Sequence, residues 1–506
     1  MISTFPANGL ERFRDLVARI LGLQFEDAKL RFLADVLGRR IEASREPLEV
    51  YLARFEARTS TDEVRALAEE LTVGETYFFR HGEQYRALTE VALPDRLRHA
   101  QTTGMQLQIL SAGCASGEEP YSIAIAVQQA AGDLSTKVAI LGVDINCAAL
   151  EKARRGRFSA WGLRDTPPDV QRRWFRADGR EFVLDDSVRR AVRFEACNMA
   201  DEHLELWQPE SQDIVFCRNV LMYFTPANAQ ALVGRLTRTL RPGGYLFLGH
   251  AETLRGLSND FHLRHTHGTF YYQRRDHVAC SPSASAAALA ASVRPAVFTD
   301  LVDGTWVETI RRASERVAAL VNPPAPPSSR TRTTLRPAPV WEVGLVLELL
   351  REERFAEALD LMDAFPPESG RDTEVLILRA VLLTHSGQIA EAERACERLL
   401  EMDELNAEAH YLLALCREGA ADGPGAQYHD QVAIYLDPGF AMAHLHLGVL
   451  GRRTDDRVTA RRELEQAIVM LQREDASRLL MFGGGFSREA LVALCQAELH
   501  GSGAHL

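Results

Sequence analysis

The hydrophobic pattern changes character along the chain. From Leu10 to Leu71 apolar residues recur at helical spacing, as at Leu16, Ile20 and Leu23, which predicts a small bundle of amphipathic helices. Between about 106 and 273 the pattern becomes short apolar runs separated by helix-length segments, and these runs are LQIL, VAILGVD, DIVFC and GYLFLGH. Strands that alternate with helices predict an α/β fold whose parallel sheet is covered on both faces.

After Trp341 a third pattern repeats. Alanine recurs at intervals of 34 residues, at Ala358, Ala392, Ala426 and Ala460. A second small residue stands 12 positions before each of the last three: Ala380, Ala414 and Gly448. Small residues at fixed offsets let paired helices pack closely, and a 34-residue unit is typical of tetratricopeptide repeats. We predict an all-α solenoid over 341–475 and a helical tail over 476–506, with Tyr411 on a first helix that lines the concave groove.

These patterns set the domain boundaries. We expect a helical subdomain at 1–75, an α/β domain at 76–275 and a linker at 276–340. The linker is rich in Ser and Ala and then in Pro, so it cannot bury much apolar surface. Within it, the segment from Thr305 to Leu320 is long enough for one isolated helix.

Composition narrows the class of protein. At 506 residues the chain exceeds the size of a single core, and 46% hydrophobic with 25% charged residues is ordinary for a soluble protein. There is no apolar run of membrane-spanning length and no secretory signal, so we expect a cytoplasmic protein without membrane insertion. A net charge of −12 disfavours nucleic acid as a partner. The eight cysteines lack metal-ligand spacing, so we expect neither zinc nor disulfides.

The first candidate chemistry lies at a strand-to-helix turn. Gly113 and Gly117 stand in SAGCASGEEPYSIAI, between the strand-like LQIL and an apolar helix, where glycines let a ligand approach the backbone. Asp144 ends the next strand, where a carboxylate can accept hydrogen bonds from ribose hydroxyls. These residues indicate an adenosine cofactor, with NAD and S-adenosylmethionine equally compatible.

Further segments resemble the CheR family of chemoreceptor glutamate methyltransferases over most of residues 10–275. The matching segments are LTVGETYFFR (71–80), SAGCASGEEPYSIAI (111–125), GVDINCAALEKARRGRF (142–158), ACNM (196–199), DIVFCRNVLMYF (213–224) and LRPGGYLFLGHAETL (240–254). The resemblance implies a Rossmann-like S-adenosylmethionine-dependent methyltransferase with an N-terminal helical subdomain, here joined to the all-α tetratricopeptide solenoid.

The resemblance also implies residue roles. Arg80 and Tyr223 become the catalytic candidates, because they would orient the methyl donor and the acceptor carboxylate. The cofactor-binding candidates are Gly74, Thr76, Arg80, Gly113, Glu119, Asp144, Asn198, Met199, Arg218 and Asn219. No metal is expected. One departure is Gly74, where the family usually has Asn, so the hydrogen bond of that side chain is missing.

Among these residues, Glu119 would face the positively charged methionine end of the cofactor, Asp144 the ribose, and Asn198 with Met199 the adenine. Structural roles remain open for some of them. Glu119 and its neighbour Glu118 could stabilise the N-terminus of the following helix, and Tyr223 could be a core aromatic residue. We interpret Glu118 and the histidines His250, His262, His265 and His267 as structural or surface residues.

The implied activity is methyl transfer from S-adenosylmethionine to glutamate side chains of chemoreceptors, which forms methyl esters in chemosensory adaptation and leaves S-adenosylhomocysteine. A glutamate is already ionised at neutral pH, so no general base is required. The segment from Gly156 to Val192 corresponds to a small β-rich insertion that meets the receptor. We expect the cytoplasmic domain of a chemoreceptor as substrate and a further signalling protein or peptide as the partner of the repeats.

Two rival functions are a methyltransferase for small molecules or RNA, and a tetratricopeptide scaffold of a chemosensory array with a weak or inactive methyltransferase domain. The negative net charge disfavours RNA. The presence of Glu119, Asp144, Arg218 and Tyr223 favours an active enzyme over a scaffold.

Overall fold

The computed structural model divides the chain into two compact units, Met1–Cys280 and Ser281–Leu506. The described residues are 5–57, 61–132, 137–202, 205–276, 343–363 and 372–500. Nearly all of the predicted linker lies outside the described residues, and so does the helix predicted over Thr305 to Leu320.

The first unit begins with a helical bundle. Its helices are α1 Ala7–Leu21, α2 Leu30–Ser44, α3 Leu48–Glu56 and α4 Thr61–Leu71. Their apolar faces meet in a core where Phe13, Leu33 and Tyr51 are completely buried. The Tyr51 hydroxyl donates to the Glu63 carboxylate at 2.8 Å, and that carboxylate also pairs with Arg40, so the buried polar atoms are satisfied. The predicted amphipathic bundle is therefore present.

The α/β part of the first unit is built on a seven-stranded sheet. This part has ten strands, of which β3, β4 and β5 form a separate small sheet. In chain order they are β1 Leu107–Ala112, β2 Val138–Asp144, β3 Arg157–Ser159, β4 Phe175–Asp178, β5 Glu181–Leu184, β6 Val192–Ala196, β7 Gln212–Cys217, β8 Leu240–Leu248, β9 Phe261–Thr266 and β10 Thr269–Arg274. The spatial order of the main sheet is β6-β2-β1-β7-β8-β10-β9. The five neighbouring strands β6, β2, β1, β7 and β8 pair in parallel. Strand β10 runs antiparallel to both β8 and β9.

Helices pack against this sheet on both sides. They are α5 Gly82–Ala87, α6 Leu93–Thr103, α7 Glu118–Ala131, α8 Cys147–Arg155, α10 Asp186–Arg190 and α11 Pro226–Thr239, whereas α9 Pro168–Trp174 packs on β4. Every residue of the central strand β7 is buried, which requires that both faces of the sheet are covered. The Rossmann-like fold is confirmed, and the antiparallel edge is an addition to the parallel sheet that the sequence predicts.

Residues 156–192 contain a separate antiparallel sheet of order β3-β5-β4. Its inner side packs on Phe78, whose ring lies edge-on to Phe158 and Phe175 with centroid distances of 4.8 and 4.9 Å. The insertion therefore supports the segment 74–81 from one side.

The helical bundle is attached to the α/β part by specific hydrogen bonds. Asn198 donates through its side-chain amide to the Ile20 carbonyl at 2.8 Å, and Asn228 donates to the Ala18 carbonyl at 3.0 Å. Leu23 forms a β-bridge with Phe224. These contacts place the C-terminal end of α1 beside the carboxyl ends of the central strands.

The second unit is all helical where it is described. Its helices are α12 Val343–Arg351, α13 Phe355–Asp363, α14 Thr373–His385, α15 Ile389–Met402, α16 Ala407–Gly419, α17 Gly423–Leu436, α18 Ala441–Arg453, α19 Arg457–Leu471, α20 Ala476–Phe482 and α21 Arg488–His500. Helices α14, α16 and α18 begin 34 residues apart, at 373, 407 and 441, and the alanines of the repeat are at most 1% exposed. The helical repeat is therefore real. None of the helices in the described ranges is long and apolar enough to cross a membrane.

Tyr411 differs from its expected setting. It lies on a first helix, α16, as predicted, but its side chain is only 3% exposed. Its ring contacts Phe440 and Phe482, and its hydroxyl donates to the Phe482 carbonyl at 3.3 Å. The short helix α20 covers this side of the repeats, a long-range contact that a repeat pattern does not reveal.

Candidate active site

A cleft opens where the parallel strands end. Strand pairing aligns Ala112 with Val143 and Asp144 with Ala196, so the carboxyl ends of β1, β2 and β6 meet at one edge of the sheet. Seven of the residues predicted from the sequence line the cleft: Gly74, Gly113, Asp144, Asn198, Met199, Asn219 and Tyr223. A cleft at this edge of a parallel sheet is the usual ligand position in such folds.

Gly113 turns the chain from β1 towards α7. Its φ is +77°, and a Cβ at this position would lie 2.4 Å from Cγ2 of Val220. Only glycine fits here, because the left-handed backbone conformation disfavours other residues and Val220 occupies the space that a Cβ would need. The turn is held by two N–H groups, those of Gly113 and Cys114, which donate to the Val143 carbonyl.

Asp144 lies at the end of β2, with 9% of its surface exposed. One carboxylate oxygen accepts from the Ala115 N–H and the other from the Asn146 N–H, both at 2.8 Å. Burial raises the pKa of Asp144, and the backbone N–H groups of Asn146, Ala115 and Ile145 oppose that change. A carboxylate has about four acceptor positions, so hydrogen-bonding capacity remains for a hydroxyl group of a ligand.

The bundle completes the cleft in a way that the sequence did not reveal. Leu21, Leu23, Ala68, Leu71 and Thr72 line its wall together with Met199 from the α/β part. The apolar members of this set suit a flat aromatic base. Leu71 and Thr72 begin the family-like segment 71–80, whereas the sequence places Leu21, Leu23 and Ala68 only in the helical bundle, because periodicity does not show which helix end faces another domain.

The Asn198 side chain is expected beside the adenine, but its amide nitrogen and its carbonyl oxygen both form hydrogen bonds with the protein backbone. Its amide donates to the Ile20 carbonyl, and its carbonyl oxygen accepts from the Ala200 N–H. The side chain therefore joins the two parts of the unit, and Asn198 lines the cleft from that fixed position.

The loop after β7 depends on Glu252, which sequence reasoning missed as a site residue. The buried Glu252 carboxylate accepts from the backbone N–H groups of Asn219, Val220 and Gly249 at 2.6 to 2.8 Å. Asn219 has φ +57°, and the loop continues to Tyr223, which is half-buried on the cleft wall. The sequence signal for Glu252 was the segment 240–254, which resembles a family motif but assigns no role to this residue.

Glu119 and Arg218 form a buried ion pair beside the cleft. Arg218 Nη1 lies 3.2 Å from Glu119 Oε2, while Ser111 donates to Glu119 Oε1 at 2.8 Å. Arg218 Nη2 donates to the Arg80 carbonyl at 2.6 Å. Burial raises the pKa of Glu119, and the Arg218 guanidinium opposes that rise. The pair holds the segment that carries Arg80, and neither of its side chains is among the cleft-lining groups.

The segment 74–81 is held in an unusual backbone conformation. Phe79 and His81 have φ +56° and +60°, and the Phe79 N–H donates to the Ser122 hydroxyl at 3.0 Å. Arg80 stands between them, half-buried, with its guanidinium 5.5 Å from the Tyr77 ring. Thr76 is also half-buried, but neither Arg80 nor Thr76 lines the cleft itself.

His81 is a second residue that sequence reasoning missed. Burial and the Arg218 charge lower its pKa to about 4, so it is neutral at physiological pH. His250 faces it at 5.5 Å between ring centroids and is exposed. Glu118, the neighbour of Glu119, accepts from the Ser116 hydroxyl and has a pKa raised to about 7 by burial.

Comparison with known proteins gives the family. The domain model described as CheR methyltransferase, SAM binding domain, matches residues 74–270. The protein named Chemotaxis protein methyltransferase 2 of Vibrio cholerae serotype O1 is 36% identical over 267 residues, which cover 52% of this chain and 91% of that protein. The chain belongs to the CheR methyltransferase family.

Two further relatives of this CheR-family protein match beyond its first unit. Both bear the name Probable biofilm formation methyltransferase WspC. The Pseudomonas aeruginosa protein is 31% identical, with 81% of this chain and 86% of its own length covered. The Pseudomonas putida protein is 29% identical, with 90% and 97% covered.

The CheR-family assignment fixes the reaction class. The protein is an S-adenosylmethionine-dependent protein-glutamate O-methyltransferase. The cleft suits this cofactor, since the Asp144 carboxylate and the apolar wall of Leu21, Leu23 and Met199 provide the groups that a nucleoside needs.

Proposed function

We propose that this enzyme methylates glutamate side chains in the cytoplasmic part of a chemoreceptor, and that its repeats hold another protein of the same signalling array. The supporting observation is that Asp144, Met199 and Tyr223 line one cleft at the carboxyl ends of the strands. The place of action is then the cytoplasm, where that receptor domain is.

In this proposal the cofactor is held by four features of the chain. Asp144 accepts from a ribose hydroxyl, and Leu23 and Met199 contact the adenine. Gly113 lines the cleft with backbone atoms alone, beside the end of β1. When bound, S-adenosylmethionine supplies a methyl carbon activated by its sulfonium charge, and S-adenosylhomocysteine is the product.

The work of the protein is mainly alignment. A glutamate carboxylate is ionised near pH 7, so no residue has to remove a proton. Tyr223, half-buried on the cleft wall, would donate a hydrogen bond to the acceptor carboxylate, and Arg80 would attract its charge. Alignment of this kind can lower a barrier by about 7 to 11 kcal/mol.

The surface beside the segment 74–81 suits an acidic helix. The Arg164 guanidinium lies 3.6 Å from the Tyr77 ring and 4.1 Å from the Trp161 ring, and Trp161 is 66% exposed. More arginines of the insertion are exposed nearby in sequence: Arg172, Arg173, Arg176 and Arg180. Positive charge around an exposed aromatic residue favours a negatively charged receptor surface as the partner.

The test is Tyr223→Phe in the full chain, with turnover measured on a soluble receptor fragment and cofactor affinity measured by calorimetry. We expect turnover to fall by more than the affinity, because the hydroxyl acts on the acceptor. Tyr428→Phe in the repeats is the matched control, since that tyrosine is 39% exposed and belongs to the other unit. Equal loss of both quantities, or loss of neither, would make Tyr223 a packing residue.

The scaffold alternative gives a different result in the same assay. An inactive methyltransferase domain would show no turnover in the unmodified chain on any receptor fragment, whatever its cofactor affinity. Labelled cofactor presented together with receptor fragments therefore separates the two functions.

A further inference from the structure

Acidic and aromatic side chains lie together on the first helix α16 and in the turn before the next first helix, α18. Glu408 and Tyr411 belong to α16, and Asp437 and Phe440 precede α18 directly. Stacked helix pairs present such first helices on their concave side, the surface that repeat proteins use for binding. We call the surface formed by these four residues the repeat groove.

Helix α20 of the same chain lies in the repeat groove. Arg478 Nη2 donates to Glu408 Oε1 at 3.0 Å and to Asp437 Oδ2 at 2.7 Å. The same guanidinium lies 4.1 Å from the centroid of the Phe440 ring. One arginine thus makes two charge-assisted hydrogen bonds and a cation–π contact, the combination that guanidinium recognition uses.

Phe482 fills the aromatic part of the groove. Its ring is edge-on to Phe440 at 5.3 Å and to Tyr411 at 6.0 Å, and Phe482 is only 3% exposed. The backbone of α20 is held as well. His385 Nε2 lies 3.1 Å from the Met481 carbonyl oxygen, and the Tyr411 hydroxyl donates to the Phe482 carbonyl oxygen.

The two inserted side chains form a pattern. Arg478 and Phe482 are four residues apart, so both stand on one face of α20. A seven-residue helix has little stability alone. The groove therefore imposes the helical conformation, and what it selects is an arginine followed four positions later by an aromatic ring.

The fit of α20 is incomplete. The Nε atom of Arg478 is buried, and within the described part of the chain it has no hydrogen-bond partner. The Arg478 guanidinium also lies 3.7 Å from Glu474 Oε1 of its own segment, and the side chains of Glu408 and Asp437 are 3% and 20% exposed. An occupant whose guanidinium is satisfied at every nitrogen would bind the groove more tightly than α20 does.

Helix α20 also packs on α12 and α14, so its release exposes part of those helices, whereas the elements on either side of α20 keep contacts of their own. Helix α21 packs against α19 directly, so both ends of the segment 475–487 are anchored independently of the groove. Gly483, Gly484 and Gly485 connect α20 to α21. Local opening of such a segment costs less free energy than unfolding of the whole unit.

We propose that the repeat groove binds a helical segment of a partner protein with an arginine and an aromatic residue four positions apart, and that α20 is a built-in competitor for this groove. The inference rests on the proposed role of the repeats in holding a partner, and it adds the chemistry of that partner. A partner binds by taking the positions of Arg478 and Phe482, as amphipathic helices bind in grooves.

The test uses the full chain and a fluorescein-labelled synthetic peptide of residues 474–486, with binding measured by fluorescence anisotropy. In R478A/F482A the internal competitor is weakened, and we expect this variant to bind the peptide about ten-fold or more tightly than the unmodified chain does. A peptide with alanine in place of both residues is expected to lose that binding. The matched control is V458A/R461A on the exposed side of α19, which should bind as weakly as the unmodified chain.

Equal affinity of the unmodified chain and R478A/F482A for the peptide would overturn the proposal. Circular dichroism checks the fold of the variant. Should R478A/F482A not fold, hydrogen exchange of the unmodified chain decides, because the amides of α20 must exchange well before those of α16 and α18. Exchange of all three helices at one slow rate would make α20 a permanent part of the core and the proposal wrong.

The outcome is separable from the proposed enzymatic function. Methyl transfer to receptor fragments is measured in the same proteins, and R478A/F482A is expected to retain the turnover of the unmodified chain. Absence of turnover in both would contradict the methylation proposal and leave the peptide result unaffected.

Discussion

Asp144 shows how one side chain can serve both the fold and a ligand. Its two oxygens hold the N–H groups of Ala115 and Asn146, which shape the turns after β1 and β2. The remaining acceptor positions face the cleft that Asp144 lines. Loss of this carboxylate should therefore weaken cofactor binding and the local structure together.

For Asp144→Ala we expect S-adenosylmethionine affinity to fall by about 1 to 3 kcal/mol, the cost of losing hydrogen bonds to a buried group. Calorimetry on the full chain measures it. Asp186→Ala is the control, because that side chain is 67% exposed in the insertion. Unchanged affinity in Asp144→Ala would refute the ribose assignment.

Gly74 allows the opposite kind of experiment, in which a side chain is added. A Cβ at this exposed cleft residue would have no heavy atom within 4 Å, so there is room for a larger residue. We expect Gly74→Asn, which restores the residue usual in the family, to tighten cofactor binding by about 0.5 to 1.5 kcal/mol through one new hydrogen bond. Gly74→Ala controls for the Cβ alone. Weaker binding by the Asn variant than by the Ala variant would contradict this prediction.

At the scale of elements, the side of the cleft formed by the strand ends could be predicted. Gly113 follows β1, Asp144 ends β2, Asn198 follows β6 and Asn219 follows β7. Each motif stands directly after an apolar run, and parallel strands bring their carboxyl ends to one edge, so the chain order predicts that these residues meet. The ion pair of Glu119 with Arg218 could not be predicted in this way, because it depends on side-chain directions across two strands.

The loop after β7 is an element whose position depends on one carboxylate. In Glu252→Gln an NH2 group replaces one of the two carboxylate oxygens, so a donor faces either the Val220 N–H or the N–H groups of Asn219 and Gly249 in place of an acceptor. We expect the free energy of unfolding to fall by about 1 to 3 kcal/mol, together with cofactor affinity, because Asn219 and Tyr223 belong to this loop.

Urea denaturation and calorimetry measure the two effects of Glu252→Gln. Glu195→Gln on β6, with a side chain that is 51% exposed, is the control and should change neither. Lower stability with full cofactor affinity would show that Glu252 supports the fold without positioning the loop.

At the scale of the whole molecule, the two compact units suggest a division of labour. The cleft is lined entirely by residues of the first unit. We therefore expect a chain that ends at residue 280 to retain cofactor binding and turnover on a soluble receptor fragment, while it loses a partner that is pulled down by the full chain. Complete loss of methyl transfer in a well-folded truncation would mean that the repeats supply something the active site needs.

The sequence by itself determined the order of strands and helices, the 34-residue helical period and the family, since all three depend on local periodicity and contiguous motifs. Tertiary structure decided how distant segments meet. Leu21 and Leu23 enter the cleft wall, Glu252 holds the loop of Tyr223, and α20 covers Tyr411 in the repeat groove. These contacts join residues far apart in the chain, and hydrophobic periodicity specifies that a face is buried without specifying what buries it.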